Sequence, residues 1–358
     1  MPNNSRLSFS FDELLENPKY DRTLTVNDRR CHGGFDKDGN YQSPRTVWRN
    51  PAIKGWQEQH LATSGLPLVE VPQEVIPPYT PNVEQTRFLL KNGVREPLVR
   101  ILTEIAIVEG FGAFIRELPV PSMKSFIRED VAGTALAHLT GGLFEAHARD
   151  EAGWDAEGGH KQMWEAARDA ALSKPNISPE IFAAIMGRRS ATPPPALFPS
   201  LGEPVERLLR FMVDVLAIEV FAASTFEWAE AVLSDAEVSD GPDAAANLVR
   251  YIRSDEAPHV EYLRTGLSEI SARTLYGQDG KEISGKTVVD ALMERTLKNM
   301  MRQRAVDRPA MIRDLIRKHS GGNDPEMLLA EFESLGTPWA PPARFAPKAA
   351  AAGANVSY

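Results

Sequence analysis

The chain has 358 residues, 42% of them hydrophobic, which is enough to build a sizeable buried core in one or two globular domains. Its formal net charge of -9, without a cluster of basic residues interleaved with aromatics, argues against binding to nucleic acid or to an anionic membrane surface. The single cysteine, Cys31, excludes an intrachain disulfide and a thiolate metal cluster. We therefore expect a small molecule as the natural partner.

The first residues carry no sign of export. Met1 to Arg6 lack a charged segment followed by an apolar stretch, and no apolar run approaches the roughly 18 residues of a membrane span. Together with the low cysteine content, this pattern predicts a cytoplasmic protein.

Residues 1–80 are expected to form an irregular N-terminal arm that packs onto a helical core. Turn signals occur at Gly33-Gly34 and Pro77-Pro78. Short helical patterns are restricted to the neighbourhoods of Phe11 to Leu15 and Ala52 to Leu61.

Residues 81–305 are predicted to form the core, because apolar residues recur there at helical spacing. The four predicted core helices run from Glu84 to about Leu118, Met123 to Leu172, Glu203 to Leu233 and Asp243 to Leu275. The glycine pairs Gly141-Gly142 and Gly158-Gly159 leave the continuity of the second helix open. No alternation typical of strands is evident, so the predicted fold class is all-α.

The C-terminal part continues the helical pattern. A helix from Val288 to Met301 closes the core, and residues 306–337 are predicted to hold further helices at Ala310 to Lys318 and Pro325 to Leu335. Residues 338–358 are rich in proline and alanine, which predicts a mobile tail.

Two Glu-x-x-His tetrads, Glu157 to His160 and Glu256 to His259, lie in segments with helical patterns. Positions i and i+3 of a helix point the same way, so one carboxylate and one imidazole can reach the same metal ion. Two such helices, together with two helices that each carry a single Glu, build the dimetal core of ferritin-like bundles.

The fourth helix places its tetrad on an apolar face. Glu256 and His259 align with Ile252 and Leu263, and an unpaired carboxylate would be costly there unless it were neutralised or bound to metal. Pro258 in the same turn is a second conflict with helix propensity, and such conflicts often mark functional sites. Asp255 has two interpretations: an acceptor for the ring N–H of the other ligand histidine, or a solvated acid near Arg253.

Single carboxylates are expected on the first and third helices. Glu219 follows an apolar stripe, whereas Glu227 is rotated away from it, so we favour Glu219. On the first helix Glu104 and Glu109 both have apolar neighbours. We favour Glu109 because Gly110 and Gly112 follow closely and could admit a metal, oxygen or a substrate chain; close helix contacts are the alternative explanation for these glycines.

Other polar residues have competing interpretations. His147 and Glu151 form an i, i+4 pair that could also bind metal, but we favour a polar face formed by His147, Asp150 and Glu151 with Arg149. Among the remaining histidines we expect His138 to be a core residue, His60 and His319 to lie on the surface, and Cys31-His32 to be too isolated for a metal site.

Two segments, Leu216 to Ala223 and Ser254 to Leu263, resemble the third and fourth helices of ferritin-like dimetal carboxylate oxygenases. The aldehyde-deformylating oxygenases have a similar Ile-Glu-x-Phe-Ala stretch and a similar Asp-Glu-x-x-His tetrad. The resemblance extends from about Leu98 to Ile270 and implies a ferritin-like four-helix bundle. It implies six ligands for two irons, or for a manganese and an iron: Glu109, Glu157, His160, Glu219, Glu256 and His259.

The resulting hypothesis is an O2-dependent dimetal oxidoreductase that acts on a small, largely apolar organic substrate and receives electrons from an external donor such as a reductase. One alternative is a ferritin-like protein for iron handling or peroxidase chemistry. Another is a non-catalytic helical binding protein in which the Glu and His residues form buried hydrogen-bonded pairs. The sequence does not decide between a monomer and a homodimer.

Overall fold

The helical periodicity of the sequence is realised over most of residues 6–187 and 194–345, the part of the chain that the computed structural model describes. The helices of its N-terminal half are α1 (Phe11–Leu14), α2 (Arg49–Ser64), α3 (Val83–Lys91), α4 (Glu96–Phe111), α5 (Phe144–Ala152), α6 (His160–Ala171) and α7 (Pro179–Gly187). Those of the C-terminal half are α8 (Glu203–Leu233), α9 (Pro242–Asp255), α10 (Ala257–Ser271), α11 (Gly285–Arg302), α12 (Arg308–Lys318) and α13 (Pro325–Ser334).

Two small antiparallel sheets accompany the helices, so the prediction of a chain without strands was wrong in this detail. The arm contains β1 (Arg22–Val26), β2 (Arg29–Phe35) and β3 (Tyr41–Gln42) in that order, and β4 (Thr274–Tyr276) pairs with β5 (Glu282–Ser284). Strand β2 gave no alternating signal because Cys31 to Phe35 are all buried. The arm is therefore more ordered than the predicted irregular segment.

The four predicted core helices agree with the structure to different degrees. Helix α8 confirms the third. The first is divided into α3 and α4, because the chain turns at Gly93, whose φ is 76°. The second is broken, and only α5 and α6 are regular α-helices within it.

The fourth predicted helix is interrupted at Glu256. Helix α9 ends at Asp255 and α10 begins at Ala257. Pro258 thus lies in the first turn of α10, where the missing N–H has no helical acceptor to satisfy. The apparent conflict between Pro258 and a continuous helix is resolved by this break.

Helix α8 packs against α9, α10 and α11, and α4 packs against α6, which in turn contacts α9. Helix α2 of the arm packs on α10 and belongs to the same core. Its Trp56 is completely buried and donates a hydrogen bond from Nε1 to the Leu7 carbonyl at 2.9 Å. The arm is therefore an integral layer of the fold.

Strand β2 also fastens the arm to the chain just before α6. The His32 amide donates to the Gly158 carbonyl, and the Gly158 amide donates to the Arg30 carbonyl, each at 2.9 Å. This pairing fixes the position of the residues between α5 and α6.

None of the helices within the described residues is both long enough and apolar enough to cross a membrane.

Helices α12 and α13 confirm the helices predicted after residue 306. Of the predicted mobile tail, residues 338–345 are described and include a short helical turn at Ala343–Phe345, whereas 346–358 lie outside the described residues.

Replacing Trp56 by alanine should lower the free energy of unfolding by roughly 3–5 kcal/mol, because it empties a fully buried site between arm and core. Leu61→Ala on the same helix, where the side chain is 48% exposed, should cost below about 0.5 kcal/mol. Urea unfolding of both variants checks this. Equal stabilities would mean that the arm is dispensable for the core.

Candidate metal centre

Carboxylates and imidazoles from α4, α5, α6, α8, α10 and the α9–α10 junction meet in the interior. They include two groups of ligand-type atoms that share Glu151, each with all its atoms within 4.8 Å of one another. A third such group joins His32, His160 and Asp255. The first group comprises Glu109, Glu151, His160 and Glu256, and the second comprises His147, Glu151, Glu219 and His259.

In the first group the Nδ1 atom of His160 faces three carboxylates. It lies 3.1 Å from Glu256 Oε1, 3.3 Å from Glu151 Oε1 and 3.6 Å from Glu109 Oε2. His160 is the first residue of α6 and is completely buried. One carboxylate from α4, one from α5 and one from the α9–α10 junction thus surround a single imidazole nitrogen.

In the second group the Nδ1 atom of His259 lies 2.8 Å from Glu256 Oε2 and 3.1 Å from Glu151 Oε1. Glu256 therefore turns one oxygen towards each of the two histidines. Glu151 is likewise close to both. Each of these two glutamates could therefore contact an ion held beside either histidine.

The residues fit such a pair of ions. Glu151 Oε1 and His160 Nδ1 are buried atoms that have no hydrogen-bond partner in the described structure, which is unusual for buried polar groups. Oxygen and imidazole donors suit iron or manganese. Once deprotonated, the four glutamates would carry four negative charges, which two divalent cations would neutralise. Metal ions at this place would supply the missing partners.

Five of the six predicted ligands meet here, namely Glu109, His160, Glu219, Glu256 and His259, and their role as ligands stays a prediction. Glu157 is not with them. Its side chain is 24% exposed, and its carboxylate lies 3.7 Å from Arg30 Nε and 3.9 Å from Arg45 Nη1. The prediction that Glu157 and His160 share a helical face was wrong, since α5 ends at Ala152 and α6 begins at His160. Glu151 occupies the position expected for Glu157.

Glycines close the loop between Glu151 and His160. Gly153 has a φ of 82°, and a Cβ there would meet the Glu157 carbonyl oxygen and lie 2.9 Å from the Gly159 amide nitrogen. A Cβ at Gly159 would lie 2.5 Å from the Asp150 carbonyl oxygen. The chain can therefore turn back on itself tightly enough to bring His160 beside Glu151. The pair Gly158-Gly159 was the sequence signal for this break.

Two aspartates lie beside the far nitrogens of the two histidines, and among the described residues only Asp150 forms a hydrogen bond there. Asp255 Oδ2 lies 3.4 Å from His160 Nε2, and Asp150 Oδ2 lies 2.9 Å from His259 Nε2. Asp255 is fully buried, so its interpretation as a solvated acid was wrong and its position fits the acceptor. A carboxylate acceptor fixes the tautomer and orientation of an imidazole, leaving Nδ1 free for a metal.

The arm supplies hydrogen-bond partners to both aspartates and positive charge to Asp150. Asp150 accepts hydrogen bonds from Arg45 Nε at 2.7 Å and from Arg49 Nη1 at 2.6 Å. Asp255 accepts one from the Tyr41 hydroxyl at 2.8 Å, and His32 Nε2 lies 3.2 Å away. The expectation that Cys31-His32 is too isolated was wrong for His32, which the hairpin places beside Asp255. Sequence reasoning missed Arg45, Arg49 and Tyr41, which lie far from the tetrads in the chain.

The remaining histidines are divided between core and surface. His138 is buried as predicted, and its Nε2 accepts the Phe9 amide hydrogen at 3.1 Å. His319 is exposed, as predicted. His60 is only 4% exposed, so its predicted surface position was wrong.

The two choices between neighbouring glutamates agree with the geometry. Glu227 is 65% exposed and lies 3.4 Å from Arg253 Nη2, whereas Glu219 reaches the cluster. Glu109 also reaches the cluster and accepts a hydrogen bond from Trp164 Nε1 at 3.1 Å. Glu104 lies instead in the wall of a neighbouring cavity.

His147 adds a third imidazole to the centre. It stacks on His259 with ring centroids 4.1 Å apart, and its Nε2 lies 3.6 Å from Glu219 Oε1. His147, Asp150 and Glu151 are all buried, so the favoured interpretation of a polar face was wrong. Burial and the neighbouring His259 lower the pKa of His147 well below its ordinary value, which keeps its ring neutral.

The other ionisable groups strongly perturb one another. Burial raises the pKa of Glu109 and of Glu219 well above the ordinary value, and neighbouring carboxylates add to the effect. Burial alone would lower the pKa of His160 and His259, but the surrounding carboxylates raise it well above its usual range. Without metal, the centre therefore retains protons at neutral pH.

Comparisons of the chain with protein families, with characterised proteins and with solved structures found no match. The chemistry of the centre is accordingly argued from its own side chains.

The affinity for Mn(II) should rise with pH, because the protons retained by His160, His259, Glu109 and Glu219 must leave before these groups can coordinate. The apparent association constant should increase up to about tenfold per pH unit for each proton released. Titration calorimetry in buffers of different ionisation enthalpy measures both the affinity for Mn(II) and the number of protons released on binding. A Mn(II) affinity that does not change between about pH 6 and pH 8 would contradict the prediction that the metal displaces protons.

Gly112 makes room for the shared glutamate. A Cβ at Gly112 would lie 2.7 Å from Glu151 Cβ and would also meet its Cγ, whereas a Cβ at Gly110 would meet only the flexible Lys161 chain, with Cδ at 2.7 Å. These glycines are therefore close contacts rather than channel walls.

Gly112→Ala should consequently displace Glu151 and weaken metal binding by roughly 10- to 100-fold, comparable to losing a group that orients a ligand. Gly110→Ala should leave binding nearly unchanged, since the lysine can move. Mn(II) titration of both variants, alongside thermal melting to verify folding, checks the difference. An equal loss of Mn(II) affinity in the two variants would refute the proposal that Gly112 makes room for Glu151.

Proposed function

We propose that the protein is an O2-dependent dimetal oxidoreductase that oxidises a small, largely apolar organic substrate. The observation that supports this most directly is the pair of buried ligand groups sharing Glu151, with Glu256 turned towards both histidines. We further infer that α4, the α5–α6 segment, α8 and the α9–α10 segment correspond to the four helices of a ferritin-like bundle.

In this proposal each position has one terminal glutamate and one histidine. Glu109 and His160 would hold the first ion, Glu219 and His259 the second, and Glu151 and Glu256 would lie between them. Two irons, or a manganese and an iron, supply the redox chemistry that reduces O2 when they are bound. An external donor such as a reductase would provide the electrons.

The residues around the proposed ligands would orient the ligand side chains and exclude bulk water from them. Trp164 donates to Glu109, Asp150 is hydrogen-bonded to His259, and Asp255 lies 3.4 Å from His160 Nε2. The His160 and His259 rings are fully buried, which limits access of bulk water to the centre. Such support from a rigid surrounding structure maintains ligand geometry during a reaction.

A cavity of about 630 Å³ adjoins Glu109 and supports oxidation of an organic substrate rather than simple iron handling. Its walls come from α4, α8 and residues 300–311, with apolar side chains prominent among them: Ile105, Val108, Trp164, Phe221, Phe226 and Met300. A volume in this range is typical of small-molecule sites.

Metal content of variants at Glu151 and Glu157 tests the proposal most sharply, because these two acids are near neighbours in sequence and only one reaches the cluster. Wild type and Glu157→Ala should each bind about two Fe(II) per chain after anaerobic loading, whereas Glu151→Ala and His160→Ala should bind fewer. Elemental analysis gives the stoichiometry. Reduced, loaded wild type should then consume O2 faster than Glu151→Ala.

A folded wild-type protein that takes up no metal would refute the proposal and favour the non-catalytic binding protein. An equal loss of bound iron in Glu151→Ala and Glu157→Ala would refute the assignment of Glu151 as a metal ligand. Iron uptake with O2 consumption that no organic compound stimulates would favour the iron-handling alternative.

A further inference from the structure

The cavity beside Glu109 has a cationic end. Arg304 and Arg308, from the segment joining α11 to α12 and from the start of α12, both line it together with Tyr79. Their guanidinium carbons lie 5.2 Å and 5.0 Å from the centroid of the Tyr79 ring. Two positive charges thus converge on one aromatic wall of a space whose lining also includes apolar side chains and the carboxylate residues Glu104, Glu109 and Asp307.

Arg304 is fixed by neutral groups alone among the described residues. It donates to the Phe221 carbonyl and to Thr225 Oγ1, each at 2.7 Å, and to Ser224 Oγ at 2.5 Å. These bonds orient the guanidinium towards α8 without neutralising it. Its charge therefore remains available to an anion that enters the cavity.

Arg308 donates from Nη1 to the Tyr79 hydroxyl at 3.0 Å. Within the described ranges, neither Arg304 nor Arg308 has a carboxylate within salt-bridge distance. Arg302, which lines the same cavity, differs: its side chain is 70% exposed, and Nη2 lies 3.7 Å from Asp307 Oδ2. The two inner arginines are distinguished by their lack of an anionic partner.

Burial lowers the pKa of Arg304 to about 10, and the charge of Arg308 contributes to the decrease. The group is still positively charged at neutral pH. Burying a cation without an anion is unfavourable, and a bound carboxylate would relieve this cost through charge-assisted hydrogen bonds.

The anion-binding end and the metal ligands are separated along α8. Thr225, which contacts Arg304, is six residues beyond Glu219, a distance of about 9 Å at the rise of an α-helix. The side chains of Ile105, Trp164 and Phe226 line the cavity. An apolar chain of several carbons would bridge this interval.

We propose that the substrate is a carboxylate-bearing, otherwise apolar molecule whose carboxylate binds Arg304 and Arg308 while its apolar part extends towards Glu109. This inference rests on the proposed function in so far as it calls the bound molecule a substrate. The binding itself depends only on the arginines and the cavity. The arginines hold one end, and the carbon to be oxidised lies at the other.

Octanoate and its neutral counterpart octanamide test the inference by titration calorimetry with both metal-free and metal-loaded protein. Wild type should bind octanoate at least tenfold more tightly than octanamide in both states. Arg304→Gln and Arg308→Gln should each abolish this preference, and Arg304→Lys should retain part of it. Arg302→Gln is the matched control and should change octanoate affinity less than twofold.

Equal affinities for octanoate and octanamide, or a preference that survives both glutamine substitutions, would overturn the inference. A preference seen only with metal-loaded protein would also overturn it, since the carboxylate would then coordinate the ions. Arg308→Gln leaves the contacts to α8 intact, so it carries the test if Arg304→Gln unfolds. If the protein takes up no metal but still binds octanoate through the arginines, the carboxylate-binding site is supported and the proposed oxidoreductase function is refuted.

Discussion

The structure depends on accommodating six carboxylates in one small interior region. Glu109, Glu151 and Glu256 face the Nδ1 atoms of His160 and His259, and Glu219 lies beside His147 Nε2. Asp150 and Asp255 lie behind the rings of His259 and His160. Burying a charged carboxylate without compensation is strongly unfavourable. Arg45 and Arg49 compensate the charge of Asp150, and two divalent cations would compensate the glutamates. The arm, the broken helices and the proposed chemistry can all be understood as answers to this electrostatic requirement.

The breaks in the helices occur where the ligand-type residues lie. The loop after α5 separates Glu151 from His160, and α9 and α10 are divided at Glu256, three residues before His259. Glu151 and Glu256 each follow an aspartate in sequence, and that aspartate lies beside the histidine of the other segment. The two Asp-Glu pairs thus act crosswise, which links α5 and α6 to α9 and α10 through the rings they orient. A continuous helix between Glu151 and His160 would not have allowed both side chains to reach the centre.

Much of this was predictable from local pattern. The apolar stripes identified α8 and the inward position of Glu219, Glu256 and His259, and the residue before Glu256 was recognised as a candidate acceptor. The choice of Glu157 over Glu151 failed because it assumed a continuous helical turn. The true geometry is set by backbone contacts between Gly153 and Gly159 and by pairing with β2. Arg45 and His32 could not be found by spacing, since only tertiary structure brings them to the site.

The hydrogen bond between His32 and Asp255 joins residues 223 positions apart in the chain, and Arg49 reaches Asp150 across 101. During synthesis the arm is made first, and Arg45 and Arg49 lack their partner Asp150 until α5 has been made. Such long-range contacts close large loops, which costs chain entropy. The centre can form only when the chain has been made as far as His259 on α10. An N-terminal fragment that ends before α9 could not form it.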